Sequence, residues 1–194
     1  MSLLPFAGCG YRPSTPFPLS EKALSPSHTI RVTKIAGDDE GKLAEALIRE
    51  IGFSGILSYS EEGDLTLSAT IIRNETTHIG WRYDRDAKTG ARINRLVPDE
   101  GRQSVTIRFS LLSTETGERV YGPFETEGRS HFDFIDANSP QDASFFDGRG
   151  VRGSTLSFSM GQLDSREGAR ENNLSYLYQK IAYEMVRGME HLSR

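Results

Sequence analysis

The chain has 194 residues, with 23 Lys and Arg against 27 Asp and Glu, for a net charge of −4. Near-neutral charge excludes a generic nucleic-acid binder, which is basic overall. The single Cys excludes an intrachain disulfide and a Cys-rich zinc cluster. A chain this long buries about two-thirds of its unfolded surface and needs neither staple. The 36% hydrophobic and 26% charged shares are those of an ordinary soluble fold, and the length fits one domain, or one domain with a tail.

The one Cys stands at position 9. Leu3, Leu4 and Phe6 precede it, followed by the small pair Ala7-Gly8. Small residues before a Cys at the end of an apolar run resemble a bacterial lipobox, although Phe6 stands where a Leu is usual. The expectation is a thioether-linked diacylglycerol on Cys9, with a signal remnant before it. From Gly10 to His28 the chain carries Pro13, Pro16, Pro18 and Pro26 among several Ser and Thr. Proline lacks an N–H and fixes φ, so this stretch reads as an extended linker. Residues 1–28 are therefore expected to be signal remnant and tether, and residues 29–194 a single folded domain. No stretch approaches the ~18 apolar residues of a spanning helix.

Thr29 to Ile35 alternates Ile30 and Val32 with Arg31, which predicts a strand with one buried face. Gly37 to Gly41 breaks it. Asp38 or Asp39 then supplies a helix cap, and Glu40 suits the positive helix end. Leu43, Ala44, Leu47, Ile48 and Ile51 form one apolar stripe, and Gly52 is placed to stop the helix. Two strands follow, Gly55–Ser60 and Leu65–Glu75. The second turns Leu65, Leu67, Ala69 and Ile71 to one face and Thr66, Ser68 and Thr70 to the other.

Asp86 to Gly90 is a turn signal between Trp81–Asp84 and Ala91–Val97, predicting a hairpin or long loop. Gln103–Leu111 alternates most cleanly, with Val105, Ile107, Phe109 and Leu111 facing in. Thr114–Glu118 is a hairpin turn, and the return strand runs from Arg119 to about Phe134. Pro123 within it predicts an edge or a bulge. Asp136–Gln162 is rich in Ser, Gly, Asp and Asn, and is long for a structureless loop. Leu174, Leu177, Tyr178, Ile181, Ala182, Met185, Val186, Met189 and Leu192 then keep helical spacing to the C-terminus. The summed order predicts an α+β two-layer sandwich, with two helices on one face of a mixed, mostly antiparallel sheet.

Patterns that carry catalysis are weak. The four His, at 28, 78, 131 and 191, fall in no metal-ligand spacing. No Gly-x-Ser-x-Gly elbow or phosphate-binding Gly-Lys-Ser/Thr loop occurs. Gly148, Gly150 and Gly153 lack the flanking strand and helix of a nucleotide cradle. His131 and Asp133 merely share a strand face, and Asp64, Asp84, Asp86, Asp99 and Glu100 read as dispersed turn acids. No cofactor is expected. The charge pattern says more: Arg73–Arg108 holds eight Lys and Arg against five acids. Within it Arg82, Arg85, Lys88, Arg92 and Arg95 surround Trp81 and Tyr83. Arg presents a planar fork suited to phosphate and carboxylate. Two readings stay open, a solvated hairpin with ordinary turn charges and an anion-facing loop.

Gly8-Cys9-Gly10-Tyr11-Arg12-Pro13, the Ile30–Ile35 strand, the helix through Leu43–Ile51 and the strand starting at Leu65 together resemble the LptE-type lipopolysaccharide-assembly lipoproteins. The resemblance covers most of the chain by order of elements. It implies a lipid-anchored protein at the periplasmic face of the outer membrane. Its partners would be a β-barrel translocon of the LptD type, which it plugs, and lipopolysaccharide. It also implies no enzymatic role. The His78–Arg102 hairpin and the Asp136–Gln162 excursion exceed the compact pattern of that family. A pilotin or assembly-machine accessory shares the anchor and sandwich without the barrel. A surface-polymer hydrolase using His131 and Asp133, and a cytoplasmic interaction domain, are the more distant alternatives.

Overall fold

A computed structural model describes residues 28–86, 88–136, 139, 144–154 and 165–192. The expected leader with Cys9, and Leu156 and Phe158 of the long excursion, lie outside the described residues. The elements run β1 (Thr29–Val32), α1 (Lys42–Ser54), β2 (Ser58–Tyr59), β3 (Leu65–Arg85), β4 (Arg92–Ser113), β5 (Arg119–Asp133), β6 (Ser144–Phe146), β7 (Arg152–Ser154) and α2 (Arg166–His191). Five strands form one sheet in the order β2-β1-β3-β4-β5, and β6 pairs with β7 alone. β1 is parallel to β2 and β3, while β3–β4 and β4–β5 are long antiparallel ladders. This is the expected α+β arrangement, with both helices against a mixed sheet.

The core lies between the helices and one sheet face. Leu67, Val105, Ile107, Phe109 and Leu111 supply the sheet side. Leu43, Leu47 and Ile51 of α1 and Leu177, Ile181 and Met185 of α2 supply the other. Asp38 helps to start α1: its carboxylate accepts the Ala44 N–H at 2.9 Å, although Gly41 occupies the cap position itself. The helix passes the expected stop at Gly52 and ends at Ser54. Gly55 takes the left-handed conformation (φ 69°) that closes a helix end. The stripe is also rotated slightly, with Ala46 buried and Ala44 and Ile48 only partly so. The strand expected over 55–60 pairs only at Ser58 and Tyr59.

α2 begins where Ser165 accepts the Gly168 N–H at 3.3 Å. It crosses β5 at Gly128, where a β-carbon would meet Ile181 at 2.5 Å. The missing side chain lets helix and strand approach. Farther along, Asn173 donates to the Gln103 side-chain oxygen at 3.1 Å, and Gln103 donates to Asn74 at 3.2 Å. Gln103 is buried, and this relay satisfies its amide where the apolar contact ends. Pro123 fulfils both halves of its expectation. β5 is an edge strand, and Gly122 and Pro123 stand against the single Ser110 between the Phe109↔Phe124 and Leu111↔Tyr121 pairs, a bulge of one residue.

Element lengths set the shape. β3 has 21 residues and β4 has 22, or about 70 Å of strand at roughly 3.3 Å per residue. α2 has 26 residues, only about 39 Å at roughly 1.5 Å per residue. The helices therefore cover the near part of the β3–β4 ladder, and the far part projects as a two-stranded arm. Gly128→Val should lower stability by about 1–3 kcal/mol through overpacking against Ile181, read as a lower denaturant midpoint at unchanged slope.

Candidate functional site

β3 slips register between Ile71 and Arg73 while β5 still flanks β4, and the two-stranded arm begins past the Glu100↔Asp133 pair, at Gly80. The slip leaves Arg73, Glu75 and Thr77 opposite Thr106, Ser104 and Arg102 on the open sheet face. Asn74 and His78 fall opposite Val105 and Gly101 on the helix side. On the helix side a small second core of Phe132, Phe134 and Ala169 continues beyond the main one. His78 stacks against Phe134 at 5.7 Å, and Phe132 lies over Gly101, where a β-carbon would clash at 2.6 Å.

Further irregularities lie between His78 and Trp81 and between Tyr83 and Arg85. The paired positions are Trp81↔Pro98, Arg82↔Val97, Tyr83↔Leu96 and Arg85↔Arg92. Directly opposed residues share a face. Trp81, Tyr83, Arg85, Arg92, Leu96 and Pro98 therefore form the open face of the arm, and Arg82, Asp84 and Val97 point to the helix side. Trp81 is 54% and Leu96 57% exposed. The Arg92 guanidinium stacks on the Tyr83 ring at 3.4 Å. Arg85 donates to the Gly90 carbonyl at 3.1 Å across the turn. The turn is closed by Asp86, whose carboxylate accepts N–H groups of Lys88 and Thr89 at 3.0 and 2.8 Å. These donors hold the Asp86 carboxyl below its ordinary value.

The five predicted cations thus separate. Arg85 and Arg92 share the open face with the aromatics, and Lys88 sits in the exposed turn. Arg82 and Arg95 belong to the other side. Arg95 is paired with Asp84, which also accepts the Ser139 hydroxyl. Asp84 is not the turn acid that the sequence suggested. It is 1% exposed, within β3, because strand alternation turns it inward against Ser139. The Ser139 hydroxyl lowers its carboxyl from the ordinary value; burial opposes this, and the Arg85 N–H and Arg95 reinforce it.

The second hairpin, β6–β7, joins the same end. The Phe146 ring lies beside Gly90, 3.4 Å from where a β-carbon would sit, and Arg152 lies 6.0 Å over that ring. Phe146 is 55% exposed, with Phe145 and Val151 also exposed. Sequence reading missed this contribution because 145–152 is remote in the chain from Gly90. The pairing of aromatic and Arg in both segments was the available signal.

Elsewhere, His131 accepts from Arg102 at 3.0 Å and lies 3.6 Å from Glu100, within a surface ion-pair group. A shallow depression of about 680 Å³ lies at the opposite end of the sheet, lined by His28, Glu62, Asp64 and Glu115 among others. Among the described residues no cluster of three His, Cys, Asp or Glu suits a metal, and no helix is long and apolar enough to cross a membrane.

No known protein-family profile matches the chain, and no curated protein sequence matches it. Solved structures do resemble it. A minor lipoprotein from Acinetobacter baumannii aligns over 84% of this chain and 93% of its own, at 7% identity and a TM-score of 0.44. Rare lipoprotein B from Shewanella oneidensis aligns over 84% and 94%, at 10% identity and a TM-score of 0.42. A hypothetical protein from Chlamydia trachomatis aligns over 85% and 97%, at 8% identity and a TM-score of 0.45.

Asp84→Ala should destabilise the protein by about 1–3 kcal/mol at neutral pH, since charged hydrogen bonds to Ser139 and Arg95 are lost. A carboxyl lowered in the folded state stabilises above its unfolded value, near 3.8, and this is lost as pH falls through the folded value. The melting-temperature gap between wild type and variant should therefore close below about pH 4.

Proposed function

We propose that this chain is a lipid-anchored envelope protein that works by binding. In that role it is a plug and assembly partner of a β-barrel lipopolysaccharide translocon at the periplasmic face of the outer membrane. The observation that carries the binding role is the projecting β3–β4 arm, a two-stranded element with aromatic and cationic side chains on one open face. The Gly8-Cys9-Gly10-Tyr11-Arg12-Pro13 leader supports the anchor. Acyl chains on Cys9 contribute about 0.8 kcal/mol per buried methylene, and two or three together hold a protein stably on a membrane.

A barrel plug needs a rigid body with a polar exterior. The open sheet face offers one: Arg108 pairs with Glu125 at 2.7 Å and Arg129 with Glu127 at 2.8 Å. Arg85, Lys88 and Arg92 are suited to acidic barrel loops or to the phosphates of a lipid A head. A second reading is an envelope lipoprotein of another assembly machine, such as a pilotin. The length of the arm favours it, since 21- and 22-residue strands exceed a compact plug.

Cys9→Ser in the full-length precursor should move the protein from the membrane pellet to the soluble fraction; unchanged partition would overturn the anchor. Affinity purification from envelopes should recover a large outer-membrane β-barrel. Arg85→Glu with Arg92→Glu should weaken that recovery about tenfold. Recovery of secretion-machine components with no such barrel would favour the second reading.

A further inference from the structure

We infer that the far end of the molecule is a peripheral docking surface for an anionic phospholipid bilayer, acting separately from the acyl anchor. It comprises the open face of the β3–β4 arm and the adjoining β6–β7 hairpin. Three observations carry this.

The first is composition at one place. Trp81, Tyr83 and Leu96 are exposed on one arm face, and Phe145, Phe146 and Val151 are exposed on the neighbouring hairpin. Trp, Tyr and Phe suit the boundary between headgroups and acyl chains, where one part of the ring is wet and the rest is apolar. The second is charge. Residues 81–96 and 144–154 together carry seven Lys and Arg against three Asp, in a chain of net charge −4. Asp84 and Arg95 are paired with each other on the inner side, which leaves the cationic excess of these segments unchanged. Anionic headgroups attract such a surface, and interleaved cations and rings hold a protein at the interface.

The third is architecture. Trp81, Tyr83 and Leu96 lie on the sheet face opposite the helices, where no second layer of the described fold packs on them. β3 extends away from the end where Thr29 begins β1, which puts this surface at the end of the sheet remote from Thr29. The fold thus gives the protein a second contact with a membrane, one that limits tumbling about a tether. An acidic protein surface also complements the cations. The bilayer is favoured because the exposed apolar groups sit on two separate hairpins flanking one turn, rather than in a single groove shaped for a partner segment.

Trp81 is the only Trp in the chain, and it reports on this face directly. The unacylated protein carrying Cys9→Ser should be titrated with vesicles of mixed phosphatidylglycerol and phosphatidylcholine. Trp81 emission should shift to the blue, be quenched by lipids brominated near the headgroup, and revert in high salt. Vesicles of phosphatidylcholine alone should produce little shift. Each cation near an anionic surface contributes about fivefold in affinity, so Arg85→Ser with Arg92→Ser should weaken binding about twenty-five-fold. Leu96→Ser should reduce quenching while keeping the salt dependence. Circular dichroism matching the parent shows that these surface variants fold. Unchanged Trp81 emission in excess anionic vesicles would overturn the inference. So would a shift that appears only with the purified barrel, which would leave the proposed translocon role standing. The use of unacylated protein likewise separates this result from failure of the Cys9 anchor.

Discussion

The mismatch in length between the strands and the helices governs this structure. β3 and β4 run for about 70 Å, while α2, the longer helix, spans about 39 Å. One layer of helix cannot bury a ladder of that length. The near part becomes a two-layer sandwich, and the far part has no helix to pack against. Trp81, Tyr83 and Leu96 are exposed because they lie on the sheet face opposite the helices.

The boundary between the two regimes is chemically marked. The continuous apolar core gives way to the Asn74–Gln103–Asn173 relay, then to the Phe132–Phe134 cluster and finally to the buried Asp84. The first two steps still use α2, through Asn173 and Ala169, and only Asp84 lies beyond it. Gln103 sits among strand residues that otherwise read as core, and the approach of α2 gives its side-chain oxygen a donor while Asn74 of β3 accepts from its amide. Asp84 is the same case farther out, a carboxylate kept ionised by a hydroxyl, a backbone N–H and an Arg.

Much of the candidate site was legible as composition and little of it as geometry. The interleaving of Arg with Trp81 and Tyr83 stands out in the sequence, and so does the turn at 86–90. The division of the cations does not. Arg82 and Arg85 are three residues apart on one strand, and an odd separation sends them to opposite faces. The irregular pairing around Gly80 and Arg85 shifts which β4 residues join them. A sequence read without its partner strand has no means of placing such irregularities. The contribution of Phe146 is likewise invisible, because it depends on two hairpins meeting across more than fifty residues of chain.

The sequence by itself determined the local elements. Alternation at Val105–Leu111, helical spacing from Leu174 to Leu192 and the turns at 86–90 and 114–118 are statements about neighbouring residues. The chain's own stereochemistry enforces them. Tertiary structure decided the strand order, the exit of the arm from helical cover, the close crossing at Gly128 and the burial of Asp84. These depend on which distant segments pair and on how far a helix reaches along a strand. Rises of about 1.5 and 3.3 Å per residue act only once the two kinds of element lie side by side.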